Sequence, residues 1–256
     1  MIDAHIHWTD DRFATDRGRV IERTKSAGVT AFFCAAARPS EFAPLENLTQ
    51  RPEIVPFAGT HPWFANEYDP AALTDFLNRH PDAGVGETGL DAVRGAPEQT
   101  EVFKDQLRIA TIFKRPCVIH CVKSFDAVAA VLKQTPALPP ALLFHGFSGT
   151  LQQAEFLMRF NAFFSFSGTV LFENRAKARA VLAALPADRI LAETDAPDGL
   201  PPERFRANAD EKRNVGENLP LIIQAFAAIR KTDFSTFTAA LDANARRFLS
   251  GGGNGE

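Results

Sequence analysis

Residues 83–91 read Ala83-Gly84-Val85-Gly86-Glu87-Thr88-Gly89-Leu90-Asp91, and two folds compete for them. Gly84, Gly86 and Gly89 have the G-x-G-x-x-G spacing of a dinucleotide-binding turn, which requires a helix to open at once so that its N-terminus meets the pyrophosphate. The next helix-start signal is Ala96-Pro97-Glu98, and Glu87 would set a negative charge beside the diphosphate. The stretch therefore reads as a buried strand, and no nucleotide cofactor is expected. No G-x-x-x-x-G-K-[ST] phosphate loop occurs in the chain either.

Seven similar apolar runs flank it, at 2–7, 29–36, 54–61, 117–122, 141–147, 162–168 and 189–195. Each is short and rich in Val, Ile, Leu or Phe, as strands buried on both faces are. Between them lie segments with apolar residues at helical spacing, such as Val102, Phe103, Leu107, Ile109 and Ala110, which read as crossover helices. Asp69-Pro70 and Ala96-Pro97-Glu98 put Pro at or near the first position of two of them. Strand then helix, eight times over, predicts an α/β fold: a TIM-type (β/α)8 barrel followed by a C-terminal helix over about 234–249. The 256 residues then form one domain over 1–249, with a flexible tail over 250–256.

Composition excludes several classes. With 28 Lys and Arg against 31 Asp and Glu, the net charge is -3, so the surface as a whole cannot coat nucleic acid by releasing counterions. A local basic site is still allowed. Hydrophobic residues make up 45% of the chain, 23 of the residues being Phe, which is ample for a core. No run reaches the ~18 apolar residues of a membrane span, and the first residues lack a secretion signal, so no membrane partner and a cytoplasmic location are expected. Cys34, Cys117 and Cys121 form no Cys-x-x-Cys pair and read as reduced core residues. The oligomeric state is left open.

Charged and imidazole groups are costly in buried strands unless paired or ligated, so their positions carry information. His5 and His7, His61, Glu87, His120, His145 and Asp195 all fall late in their runs, at the barrel rim where catalytic residues gather. Residues two apart share a strand face. His5 and His7 are therefore expected to point inward with Asp3 behind them, Glu87 to share a face with Gly89, and His120 to send Cys117 and Cys121 outward. Four imidazoles (His5, His7, His120 and His145) with Glu87 and Asp195 form a nitrogen and oxygen donor set suited to one or two divalent ions. Asp3, Lys123 and Glu193 are expected around it.

In order and spacing these motifs resemble the TatD-type metal-dependent hydrolases, a branch of the amidohydrolase-like barrel enzymes. The resemblance spans about residues 1–249. It rests on Asp3-Ala4-His5-Ile6-His7, Gly59-Thr60-His61-Pro62, Gly86-Glu87-Thr88-Gly89-Leu90-Asp91, Val118-Ile119-His120, His145-Gly146-Phe147-Ser148-Gly149 and Glu193-Thr194-Asp195-Ala196-Pro197, with Lys212-Arg213-Asn214 and Asn244-Ala245-Arg246-Arg247-Phe248-Leu249 near the end. It implies a deoxyribonuclease that trims DNA ends, single-stranded or frayed, with two divalent ions, magnesium first and manganese or zinc as alternatives. His5, His7, Glu87 and Asp195 would hold one ion, and Glu87, His120 and His145 the other. Where the family often carries Arg two residues after the His120 position, this chain has Val122 and then Lys123, which weakens or displaces the phosphate clamp.

On this reading a metal-activated water attacks the phosphodiester, Asp195 takes its proton, Glu87 bridges the ions and Glu193 orients the ligands from behind. His61, Lys123 and Arg213 are the expected substrate contacts. Arg38, Arg94, Arg204, Arg206 and Lys212 also follow strands, on the same side of the barrel, and Trp63 and Phe64 offer faces for unpaired bases. The same site could instead hydrolyse amides or esters of small molecules. The third reading is a catalytically silent metal-binding scaffold.

Overall fold

The apolar runs become eight parallel strands in the computed structural model, which describes residues 1–252. They are β1 (Ile2–Ile6), β2 (Ala31–Ala35), β3 (Ile54–Ala58), β4 (Gly84–Asp91), β5 (Cys117–Val122), β6 (Leu142–Phe144), β7 (Ala162–Phe166) and β8 (Ile190–Ala192), and they pair in that order. The helices are α1 (Arg17–Ser26), α2 (Phe42–Leu48), α3 (Pro70–Arg79), α4 (Gln99–Ile112), α5 (Phe125–Gln134), α6 (Leu151–Met158), α7 (Ala176–Ala184), α8 (Leu219–Ile229) and α9 (Phe234–Leu249). Pro70 occupies the first turn of α3 under an Asp69 cap. Pro97 falls just ahead of α4, which opens after Glu98. The fold is the expected (β/α)8 barrel with a C-terminal helix. Among the described residues, no helix is long and apolar enough to cross a membrane.

Strand alternation separates two apolar layers. Phe32, Cys34, Cys117, Ile119, Phe144 and Phe164 pack outward with the helices. Their neighbours Phe33, Ala35, Val118, Leu143 and Phe163 join Ile2, Ala4, Phe57 and Leu191 in a separate interior cluster. Phe248 of α9 closes the N-terminal end of that interior, its ring centroid 5.9 Å from those of Phe33 and Phe163 and 6.1 Å from that of Phe57. Gly84 is required here, because a Cβ at that position would overlap the Phe57 ring.

Two one-residue slips decide what faces the upper interior. Between Asp3 and Ile6, β1 spends three residues while β2 spends two, from Phe32 to Cys34. β4 does the same from Val85 to Thr88 against Cys117 to Ile119. Such bulges re-aim side chains. Below its slip β1 turns Ile2 and Ala4 inward. Above it Ile6 and Trp8 join the outer layer, which leaves His5 and His7 facing in. On β4, Val85 and Leu90 pack outward and the Thr88 hydroxyl accepts a hydrogen bond from Gln106 of α4 at 2.6 Å, so Glu87 and Gly89 face the interior. Unbroken parity from Asp3 to His7 therefore does not hold, since the bulge separates them.

Asp3 instead closes the barrel. Its Oδ1 accepts the Thr194 N–H at 3.0 Å and its Oδ2 the Thr194 hydroxyl at 2.6 Å. The Asp195 N–H donates to the His5 carbonyl at 3.0 Å and the His7 N–H to the Ala196 carbonyl at 2.8 Å. At the other end of the chain, Ser250 and Gly251 donate back to Arg246 and Phe248 and so finish α9. The remainder of the expected tail, 253–256, lies outside the described residues.

Candidate metal centre

Glu87 presents one carboxylate oxygen to each of two groups of donors. Oε2 lies 3.1 Å from His5 Nε2 and 3.3 Å from His7 Nε2. Asp195 Oδ1 completes this group at 3.9 and 3.7 Å from the same two nitrogens. Oε1 lies 2.7 Å from both His120 Nδ1 and His145 Nε2, and 3.3 Å from His61 Nε2. The strand order explains the meeting: β1, β3, β4, β5, β6 and β8 each deliver a side chain at the same height, from the strand or from the residues just beyond it. Asp195 reaches in from a backbone with φ of 60°, a left-handed conformation that Asp tolerates better than most residues.

The donor set fits a divalent metal. Ions bound at about 2.1 Å hold neighbouring ligands about 3.0 to 3.4 Å apart in octahedral to tetrahedral shells. The closest separations around Glu87 Oε2, 3.1 Å between the two Nε2 atoms and 3.1 and 3.3 Å to the oxygen, match that edge. Outer hydrogen bonds support it. His7 Nδ1 donates to the Ala35 carbonyl at 3.0 Å and His120 Nε2 to Asp91 Oδ2 at 3.3 Å, which leaves the nitrogen facing Glu87 in each ring as the one available for ligation once it gives up any proton it carries.

Burial and mutual charge set the protonation pattern of these side chains. Burial alone would raise the Glu87 carboxyl, but the imidazoles of His145, His61 and His5 around it hold it well below the usual range. His5 is driven down to about 4 by burial and by His145. His7 rises to about 9 against its burial, because Glu87 and Asp195 favour its cation. His145 is likewise raised, by Glu87 and Glu193. Burial lifts Asp195 to about 7, opposed by His145. Asp91 resists its own burial and falls to about 2, under hydrogen bonds from Trp63, Val93, Arg94 and His120.

The other expected site residues are distributed around this centre. Glu193 is fully buried behind His145, 3.8 Å from its Nδ1, and accepts from the Gly146 N–H and the Ser165 hydroxyl. Lys123 is exposed and lines a cavity of about 620 Å³ that shares His145 and Asp91 with the centre. Arg213 is committed elsewhere: it pairs with Asp16 at 2.6 Å, donates to the Arg12 carbonyl and covers the Phe13 ring. Arg38 lies over Phe64 and Arg94 over Trp63.

Two further participants are not singled out by the sequence pattern. Asp91 joins Trp63 Nε1 (2.7 Å) to His120, and its signal was its place on the β4 motif, four residues after Glu87. Arg12 lines the 220 Å³ cleft over the donors, held by Asp10 and Asp198. It lies in no strand run, and nothing in its local sequence marks it.

Known proteins place this geometry. The model of the TatD related DNase family matches residues 2–250. A "3'-5' ssDNA/RNA exonuclease TatD" from Erwinia billingiae is 34% identical over 260 aligned positions, covering 97% of this chain and 98% of that protein. An "uncharacterized metal-dependent hydrolase YabD" from Bacillus subtilis is 30% identical over 97% of this chain and 98% of its own length. Among solved structures, the TatD homologue YjjV of Escherichia coli superposes with a TM-score of 0.87 at 27% identity, covering 97% of each chain. With the donor cluster at the barrel mouth and a match along nearly its whole length, the chain belongs to the TatD related DNase family of metal-dependent hydrolases.

Proposed function

We propose that the protein trims single-stranded DNA or RNA from the 3′ end by phosphodiester hydrolysis, with two divalent ions, magnesium in the first place, held at the Glu87 site. The observation that carries this reading is the division of the Glu87 carboxylate between two donor groups. His5, His7, Glu87 and Asp195 would hold one ion and Glu87, His120 and His145 the other. When bound, such ions supply Lewis acidity, acidifying a water and drawing charge from phosphoryl oxygens.

The chain's own groups do the rest. Asp195, a quarter exposed and the most open of these donors, faces the cleft and accepts the proton of the attacking water. Glu193 keeps His145 oriented from behind. His61 faces the substrate phosphate, and Lys123 meets the next part of the strand along the 620 Å³ cavity. Stacked faces at Arg94 on Trp63 and Arg38 on Phe64 suit unpaired bases. Three unpaired cysteines, two of them buried, accord with work in the reducing cytoplasm.

The test is cleavage of a 5′-labelled single-stranded oligonucleotide with magnesium, with and without a blocked 3′ end. A ladder shortening from the 3′ end, abolished by chelator and by the block, supports the reading. Turnover of N-acyl amino acids or esters with intact oligonucleotide would replace it.

A further inference from the structure

β3 and β4 pair only as far as Ala58 and Val85, although β4 runs on to Asp91 with β5 along its other side. Glu87 and His61 both lie just beyond that separation, where the ladder is gone: the Glu87 N–H turns to the Ala36 carbonyl at 3.2 Å. Two glutamines of α4 take the place of the missing strand contacts. Gln106 accepts the Thr60 N–H at 2.8 Å and donates to the Thr60 carbonyl at 3.0 Å and to the Thr88 hydroxyl at 2.6 Å. Gln99 accepts the Asp91 N–H at 2.8 Å and donates to the Asp91 carbonyl at 3.3 Å. Each side-chain amide thus engages both polar groups of one residue's backbone, as a neighbouring strand would, and the backbone roles fix which way round each amide sits. Gly95 makes room for the second, since a Cβ there would overlap the Gln99 amide.

Packing alone does not call for these residues. Gln106 is fully buried among Phe103, Leu107 and Ala110 in the apolar layer between strands and helices, where an apolar side chain of similar size would fill the space as well. A satisfied buried amide adds little net stability; what it adds is one alignment in preference to others. Spacing identifies that alignment. Gln99 and Gln106 lie two turns apart on one face of α4, about 10.5 Å along its axis. Thr88 and Asp91 are about 10 Å apart along β4. The earlier glutamine meets the later strand residue, as an antiparallel helix requires, so the two ties hold α4 and β4 in a single register. We propose that Gln106 and Gln99 are positioning residues of the metal centre. Gln106 sets the height of Glu87 and His61 through their neighbours Thr88 and Thr60. Gln99 sets Asp91, whose carboxylate in turn holds the His120 ring by its Nε2–H. The proposal rests on the metal reading of the Glu87 site and is independent of the substrate.

Calorimetric titration of variants with zinc tests it. Gln106→Met, close in size but unable to hold Thr60 or Thr88, is expected to remain folded by circular dichroism and to lose about 10- to 100-fold in zinc affinity. Gln99→Ala is expected to lose about tenfold. A double-mutant cycle separates positioning from a purely structural role. Because Gln99 reaches the centre through the Asp91 carboxylate, Gln99→Ala should change zinc affinity by less than about twofold once Asp91→Ala is present. Its effect on melting temperature should persist in that background, since the Asp91 backbone is still there to be held. Equal losses of affinity in both backgrounds, or wild-type affinity in Gln106→Met, would overturn the proposal. If Gln106→Met gives no folded protein, the Gln99 cycle decides alone. A wild type that takes up no zinc would remove the metal reading and this proposal with it, whereas uptake that the variants leave unchanged would remove only the positioning role.

Discussion

The two ends of the barrel interior are built from the same eight strands and share almost no chemistry. At the N-terminal end Phe33, Phe57, Phe163 and Phe248 fill the bore. At the other end five imidazoles and the Asp195 carboxylate crowd around Glu87. One end contributes stability by excluding water. The other gathers nitrogen and oxygen donors within 4 Å of one another, an arrangement suited to a divalent ion. The slips in β1 and β4 mark the boundary.

Variants at each end should separate the two roles. Asp195→Asn keeps the shape of the side chain but removes a charged donor and the proton acceptor. Oligonucleotide turnover should fall by about 10³-fold or more, with thermal melting of the metal-free protein moved by only a few degrees. Near wild-type turnover would break the division. Phe248→Ala should do the reverse, costing about 3–5 kcal/mol in denaturant unfolding as expected for a buried aromatic, with kcat per folded molecule retained.

Protonation sharpens the same contrast. His7 holds its proton up to about pH 9 and His145 is raised as well, so both are cations at pH 7 and must release protons to ligate. Metal affinity should therefore climb as pH rises towards 9 and drop as it falls, by roughly tenfold per pH unit for each proton displaced. Calorimetry in two buffers of different ionisation enthalpy would count the protons, and a count of zero at pH 7 would contradict the assignment. Asp91→Asn, which weakens the hold on His120, should lower metal affinity about 10- to 100-fold, with little change in melting. Smallest is Lys123→Ala: KM for oligonucleotides should rise a few-fold with kcat unchanged, and the salt dependence of binding should flatten by about one unit.

Much of this was legible in the residues. Runs such as Cys117–Val122 announce strands because a parallel strand covered on both faces must be apolar throughout, and the exceptions, His120 and Glu87, stand out against that background. What sequence spacing could not convey were single-residue slips. Alternation assigns Asp3, His5 and His7 one face, yet the bulge divides them and sends Asp3 to Thr194. A bulge depends on how two strands align, which neither strand encodes alone. Arg213 illustrates the same limit for charge: it lies within a family-like motif, but its partner Asp16 is 197 residues away. His61 was readable as a rim residue, whereas the orientation of its ring depends on the Trp63 amide, a matter of loop conformation.

The seam between β8 and β1 has a consequence for biosynthesis. His5 and His7 leave the ribosome well before Thr194 and Asp195, whose bonds lock the first strand in place; Thr194 is 191 residues further along the chain than its partner Asp3. A nascent or truncated polypeptide lacking that last strand has neither Asp195 nor a closed barrel to hold Glu87 between its histidines.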